Sequence, residues 1–287
     1  MGSGESLRGV AKTALGAAVV RAHETSRQDR LFDDPYAQRF VDAAPEAFPE
    51  EPASAEDHAA PGPLAPLAPL GEVFYFHAVI RTRFYDDYLL SAAASGSRQA
   101  VLLAAGLDTR ALRLPWPGGM RVFELDLPEV FGFKEAVQAG CGTTACERAV
   151  VPVDLRGQWG DKLLAAGLDR AAPTAWLAEG LLIYLTADEA ARLLTDIGQL
   201  SAPGSRLAFE QGDIASSALL TQARGLPAMG EYTSLWKGGL GEDAPGWLSR
   251  HGWRPTRHDR AEVAACYGRA APAASGGGFV TAVRAGR

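Results

Sequence analysis

Short apolar runs bounded by turn residues recur through the middle of the chain: "QAVLLAA" (99–105), "RVFEL" (121–125), "RAVVPV" (148–153), "TAWLAEG" (174–180) and "SRLAFEQG" (205–212). They are too short and too evenly apolar for surface helices, and strands buried on both faces look like this. Between them lie "LPEVFGFKEAVQAG", "RGQWGDKLLAAG" and "TADEAARLLTDIGQL", whose apolar residues recur at helical spacing. Strand and helix in alternation predict an α/β fold with a Rossmann-like, mostly parallel sheet.

The flanks read differently. Upstream, "TALGAAVVRAHE", "DDPYAQRFVDAA" and "EVFYFHAVIRTRFYDDYLLSAAAS" carry helical spacing, with Asp34-Pro35 as a helix start. The Pro/Ala-rich stretch 49–71 predicts a long surface loop. Downstream, "GWRPTRHD" and "GGFVTAVRA" alternate, which predicts an antiparallel hairpin on the sheet edge. Residues 214–250 have no clean period and are expected to form an insertion over the substrate. The chain thus divides into an N-terminal helical cap, 1–98, and a core, 99–287.

Composition narrows the function. With 47% hydrophobic and 22% charged residues the 287-residue chain is ordinary globular material. A net charge of -6 without a basic run argues against nucleic acid. Three cysteines, Cys141, Cys146 and Cys266, give neither a disulfide framework nor zinc spacing. The opening "MGSGESLRGVAKTALG" lacks a signal-peptide pattern, and no run approaches the ~20 apolar residues of a membrane span. A soluble cytoplasmic protein with no metal, no nucleic-acid partner and no membrane contact is expected.

The chemistry gathers at the strand ends. Gly106 follows the first strand, where a missing side chain lets backbone approach a ligand. Asp126 stands 20 residues on, at the end of the next strand, where an acid can accept from ribose hydroxyls; Glu124 competes for that role. Asp154-Leu155 and Glu179-Gly180 close two further strands. Parallel sheets bind ligands beyond these carboxyl ends, and three acids there suit an amine-bearing cationic nucleoside. S-adenosylmethionine fits. One glycine in place of a glycine-rich fingerprint disfavours NAD. Tyr184 is a candidate for the substrate pocket. Asp86 and Asp87 read as exposed helix charges, Lys12 and Arg21 as a solvated face, Arg110 as the partner of a local acid, and His77 and His258 as structural.

The blocks "RLFDDPYAQRF", "RTRFYDDYLL", "AAGLDTRALRL", "VFELDLPEV", "VDLRG", "AEGLLIYLTADEAARLL" and "HGWRPTRHD", in this order, resemble the leucine carboxyl methyltransferase family in its bacterial branch. The resemblance implies a class I methyltransferase fold and S-adenosyl-L-methionine as cofactor. It also implies that Asp126 binds ribose, Asp154-Leu155 flanks adenine, Gly106 backs the methionine part, Arg81 meets the methionine carboxylate, and Glu179 lies beside the methionine end. Where the family has Gly-Ala-Gly before "LDTR", this chain has Ala104-Ala105-Gly106. The expected reaction is methyl transfer to a carboxylate of a small molecule or peptide, which needs no base. A hydroxyl acceptor and a non-catalytic nucleoside-binding role are the alternatives.

Overall fold

A computed structural model describes residues 10–45, 68–142, 144–211, 235–272 and 276–286. Seven strands form one sheet in the order β3-β2-β1-β4-β5-β7-β6. They are β1 (Gln99–Leu103), β2 (Arg121–Asp126), β3 (Glu147–Pro152), β4 (Thr174–Ala178), β5 (Arg206–Gln211), β6 (Trp253–Asp259) and β7 (Gly278–Arg284). The first five run parallel, and β7 is antiparallel to both β5 and β6. Every residue of β1 and of β4 is buried, as the uninterrupted apolar runs require.

The two C-terminal strands pair antiparallel at the sheet edge, as expected. β7 lies inside β6, and a helix (Arg260–Cys266) occupies the connection between them.

Alternate strand residues feed two cores. Val101, Leu103, Phe123, Trp176 and Phe209 pack on one face with helix α7 (Ala187–Gln199). That helix places Ala190, Leu193, Leu194 and Ile197 in one stripe and starts on a capping box, in which Thr186 and Glu189 each satisfy the other's backbone amide. Ala100, Leu102, Val122, Ala175 and Ala208 face the other way, onto helix α3 (Ala68–Ala94). Through Phe76, Ile80, Tyr85 and Leu89, α3 shares this core with the sheet.

Helix α1 (Val10–Ser26) and the short α2 (Ala37–Asp42) complete the N-terminal part. Asp34 caps the entry to α2, its Oδ1 accepting from the amides of Tyr36 and Ala37 at 3.2 and 3.1 Å. The remaining helices are α4 (Arg110–Arg113), α5 (Pro128–Gln138), α6 (Gly160–Ala165), α8 (Ala244–Arg250) and α9 (Arg260–Cys266).

Two of the expected segments fall partly outside the described residues. Helix α3 begins at Ala68, inside the stretch 49–71, of which 49–67 lie outside the described residues. Of 214–250, residues 214–234 lie outside them, and α8 is a core helix with Leu248 fully buried. The first residue of α8, Ala244, lines the cavity described below.

Candidate functional site

The carboxyl ends of β1, β2, β4 and β5 open into a cavity of about 800 Å³, roofed by α1 and walled on one side by α3. That volume is in the range of small-molecule sites. Two crossovers leave β1 and β4 adjacent, so the strand order reverses here, which is where such sheets bind ligands.

The turn after β1 is wound tightly. Ala104 has φ +51° and Gly106 φ +48°, both left-handed. Gly106 carries this freely, whereas Ala104 sets its Cβ against the backbone. A Cβ on Gly106 would stand 3.3 Å from that of Ala14 in α1, so the glycine also leaves room for the roof. The turn is tied to the next strand: Ala105 N donates to Leu125 O at 2.9 Å, and Gly106 N to Asp126 Oδ2 at 2.6 Å. Leu127 N donates to Asp126 Oδ1 at 2.7 Å. Each carboxylate oxygen thus uses one lone pair on backbone and keeps another for a ligand. Burial pushes the Asp126 carboxyl upward, against the pull of those two amides.

Glu124 does not share the cavity. It is fully buried between Lys134, at 2.8 Å, and Arg148, at 2.6 Å, which removes it as the ribose candidate.

Glu179 heads an array of buried charges. Its Oε2 accepts from Arg110 Nη1 at 2.6 Å, and its Oε1 makes an ion pair with Arg81 Nε at 2.8 Å whose angle falls short of a hydrogen bond. Burial opposes the charge on Glu179, but Arg110 and Arg81 outweigh it and hold the carboxyl below its ordinary value. Arg81 also pairs with Glu210, 3.4 Å away at the end of β5, which accepts from Gly180 N at 2.8 Å. Burial dominates at Glu210 and raises its pKa. Arg110 continues the array to Asp108 and to Asp86, the latter at 2.7 Å, and Asp86 takes both Nη groups of Arg113 at 2.6 and 2.7 Å.

Several expectations change here. Asp86 is buried and central to the array, not an exposed helix charge. Asp87 is the exposed helix charge expected, with its side chain 43% exposed while it pairs with Arg83 at 3.0 Å and accepts from Tyr267 Oη at 2.8 Å. Arg21 is no solvated residue: it donates to Asp34 at 2.8 Å and to Leu107 O at 2.7 Å, fastening α1 to the turn after β1. The side chain of Lys12 lies outside the described residues. Arg110 meets one local acid, Asp108, but also Asp86 on α3 and Glu179 across the fold.

Asp126, Gly106, Asp154, Leu155, Glu179, Arg81 and Tyr184 all line the one cavity. Asp154 is the most open of the acids, held by Arg156 Nη2 at 2.6 Å. Three more lining residues stand out: Glu210, Arg260 and His77, the last expected as structural. Glu210 follows the same strand-end rule as the other acids and could have been read from "RLAFEQ". His77 and Arg260 come from helices distant in sequence and carried no such signal. His77 Nε2 lies 3.0 Å from Arg260 Nη1. Arginine can only donate, so Nε2 is the acceptor and the ring is neutral. Burial, with Arg260 and Arg81 nearby, brings the His77 pKa down to about 3.

No group of three or more His, Cys, Asp or Glu among the described residues could hold a metal ion, and none of their helices is long and apolar enough to cross a membrane.

A parallel sheet with one antiparallel strand next to its edge, and a cavity over its strand ends, define the fold of a class I methyltransferase. A solved structure from Thermobifida fusca, provisionally named a methyltransferase, shares that fold with a TM-score of 0.54 at 18% identity, covering 97% of this chain and 96% of its own. The model of the leucine carboxyl methyltransferase family matches residues 14–198, and the chain belongs to that family. A relative from Parafrankia sp. is 50% identical over 280 residues, 96% of this chain and 88% of its own length. One from Streptomyces coelicolor is 44% identical over 262 residues, 91% of this chain and 89% of its own. Both are provisionally named S-adenosyl-L-methionine-dependent methyltransferases.

Proposed function

We propose that this S-adenosylmethionine-dependent methyltransferase acts on a carboxylate of a small molecule or peptide and yields a methyl ester. When bound, the cofactor supplies a methyl group already activated by the positive charge on sulfur. The cavity suits it part by part. Asp126, oriented by two amides, offers its free lone pairs to the ribose hydroxyls. Gly106 keeps side-chain atoms out of the approach. Asp154 and Leu155 flank the adenine. Glu179 provides negative charge for the ammonium end, and Arg81 meets the methionine carboxylate. Arg81 is shared between Glu179 and Glu210, so this last pairing requires it to loosen its hold on one of them. Tyr184 lines the same cavity and is the candidate to meet the substrate.

The observation that carries the carboxylate reading is the state of His77. Among the described residues that line the cavity it is the one imidazole, and its lone pair is already committed to Arg260. A ring with a pKa of about 3 is too weak a base to deprotonate an alcohol. A carboxylate is ionised at neutral pH and needs only alignment and exclusion of water. A hydroxyl acceptor is the second reading, and Glu210 favours it: a buried carboxylate with a raised pKa is a better base than an ordinary one.

The test is to incubate the chain with methyl-labelled cofactor and a panel of carboxylic acids beside the matching alcohols. Labelled product that releases methanol in mild alkali supports the ester, and its formation rate should stay flat from about pH 6 to 8. An alkali-stable ether would overturn the reading and promote the hydroxyl route through Glu210.

A further inference from the structure

Arg260 is the first residue of α9, 2% exposed, and it borders the cavity. Its hydrogen bonds are few. Nη1 donates to Gly276 O and to His77 Nε2, both neutral acceptors. The guanidinium carbon lies 5.5 Å from the centre of the Phe279 ring. Nε is buried and has no partner. No carboxylate among the described residues comes within ion-pairing distance. The arginines of the charge array differ: Arg81, Arg110 and Arg113 each hold a carboxylate, at 2.8, 2.7 and 2.6 Å.

Charge makes the contrast sharper. Carboxylate partners raise the pKa of Arg81, Arg110 and Arg113 against the effect of burial. At Arg260 burial wins and the pKa falls. Glu210 acts on it through space, but that carboxylate is engaged by Arg81 and by the Gly180 amide. A buried arginine costs several kcal/mol unless an anion compensates it, so a cavity that keeps one uncompensated is suited to receive the anion from outside.

The wall around it sets the rest of the ligand. Phe74 and Trp236 pack with ring centres 6.3 Å apart and planes tilted by 50°, and Leu182, Phe209 and Leu235 extend the apolar surface.

We propose that Arg260 anchors the carboxylate of the substrate, and that the Phe74–Trp236 wall takes an apolar, aromatic-sized body. His77 is a positioning residue here: by accepting from Nη1 it fixes the guanidinium plane while adding no charge. This deepens the carboxylate reading and uses the same cavity, but the two fail separately, because equilibrium binding of an anion does not depend on which oxygen is methylated. The methyl ester has no charge, so Arg260 would favour the acid over the product and aid its release.

The test uses the full chain saturated with S-adenosylhomocysteine, the demethylated product, and titrated with 3-phenylpropanoate, its methyl ester and 3-phenylpropan-1-ol. The acid should bind at least about tenfold more tightly than the other two, the size of one charge-assisted hydrogen bond. Arg260→Gln should remove that preference by weakening the acid alone, with alcohol and S-adenosylhomocysteine affinities held. Arg260→Lys should keep part of it. His77→Phe should weaken the acid less than Arg260→Gln, since it frees the guanidinium without removing its charge. If Arg260→Gln does not fold, the preference in the unaltered chain and its partial survival in Arg260→Lys still decide. Equal binding of acid and alcohol, no binding of the acid at millimolar concentration, or a preference unchanged in Arg260→Gln would each overturn the proposal.

Discussion

Glu124 and Asp126 are two residues apart on one strand and leave it on the same face, yet they sit in opposite settings. Glu124 is sealed between Lys134 and Arg148, two cations that neutralise it inside the core. Asp126 has no cation within ion-pairing distance among the described residues. Two backbone amides hold it at the mouth of the cavity. The first arrangement is complete without a ligand; the second fixes an acid in place and leaves lone pairs over. What separates them is where the partners come from. A side-chain pair closes a charge off, and a pair of amides displays it.

The contrast breaks first at Lys134, which is fully buried. Lys134→Met leaves Glu124 to Arg148 alone, and the Oε1 atom of Glu124 already lacks a hydrogen bond. Removing one partner of a buried ionic group costs about 3 kcal/mol or more. Urea unfolding should show that loss, while affinity for S-adenosylhomocysteine stays within about twofold, near RT ln 2. Loss of cofactor affinity with stability intact would show the Glu124 group to be part of the site.

Asp126→Ala should give the opposite pattern. Losing a charged acceptor for two hydroxyls weakens S-adenosylhomocysteine by about 1–3 kcal/mol, read by calorimetry. Stability should fall less, because Gly106 N and Leu127 N stay beside the cavity, where solvent can take the place of the carboxylate. If Lys134→Met and Asp126→Ala alter affinity equally, the comparison fails.

Protonation sharpens the same distinction at His77, which burial keeps neutral with help from the nearby Arg260 and Arg81. Its folded pKa, about 3, is below the ordinary 6.5. Above pH 6.5 both folded and unfolded rings are neutral, and the shift costs nothing. As pH falls from 6.5 towards 3 the unfolded ring takes a proton that the folded one refuses, so stability drops across that window. His77→Gln should reduce the drop by about 1 kcal/mol near roughly pH 5.5. His258, also lowered by burial, keeps part of the slope in the variant. An identical acid profile in both proteins would mean that His77 protonates freely in the folded state.

Much of this was legible beforehand, and the limits are physical. Apolar runs such as "AVLLA" announce strands because burial on both faces leaves no place for polar residues. Strand ends carry the acids, so Asp126, Asp154 and Glu179 could be named from spacing alone. Choosing Asp126 over Glu124 could not be done that way, since both share a face and only α5 and β3, arriving from elsewhere, supply the cations that bury one of them. Asp86 was misread for the same reason. On its own helix it looks like a solvated charge, and its partners, Arg110 and Arg113, lie 24 and 27 residues away. Arg260 and His77 are 183 residues apart, beyond any local pattern.

The smallest effect concerns Ala104. The sequence marks it only as alanine where the family has glycine. The structure adds that its φ is +51°, a left-handed conformation costing an alanine about 1 kcal/mol or more. Glycine would remove that strain but bring extra freedom to the unfolded chain, worth about 0.5–1 kcal/mol against it. The two nearly cancel, and strain is the larger, so Ala104→Gly should raise stability by less than about 1 kcal/mol. Cofactor affinity should hold or improve, because the methyl group lies where the backbone lines the cavity. Chemical unfolding with and without S-adenosylhomocysteine reads both quantities in one experiment. A clear loss of stability would mean that the turn does not hold Ala104 left-handed. A loss of affinity with stability unchanged would mean that the methyl group touches the ligand, and the departure from the family glycine would then be part of how this chain grips its cofactor.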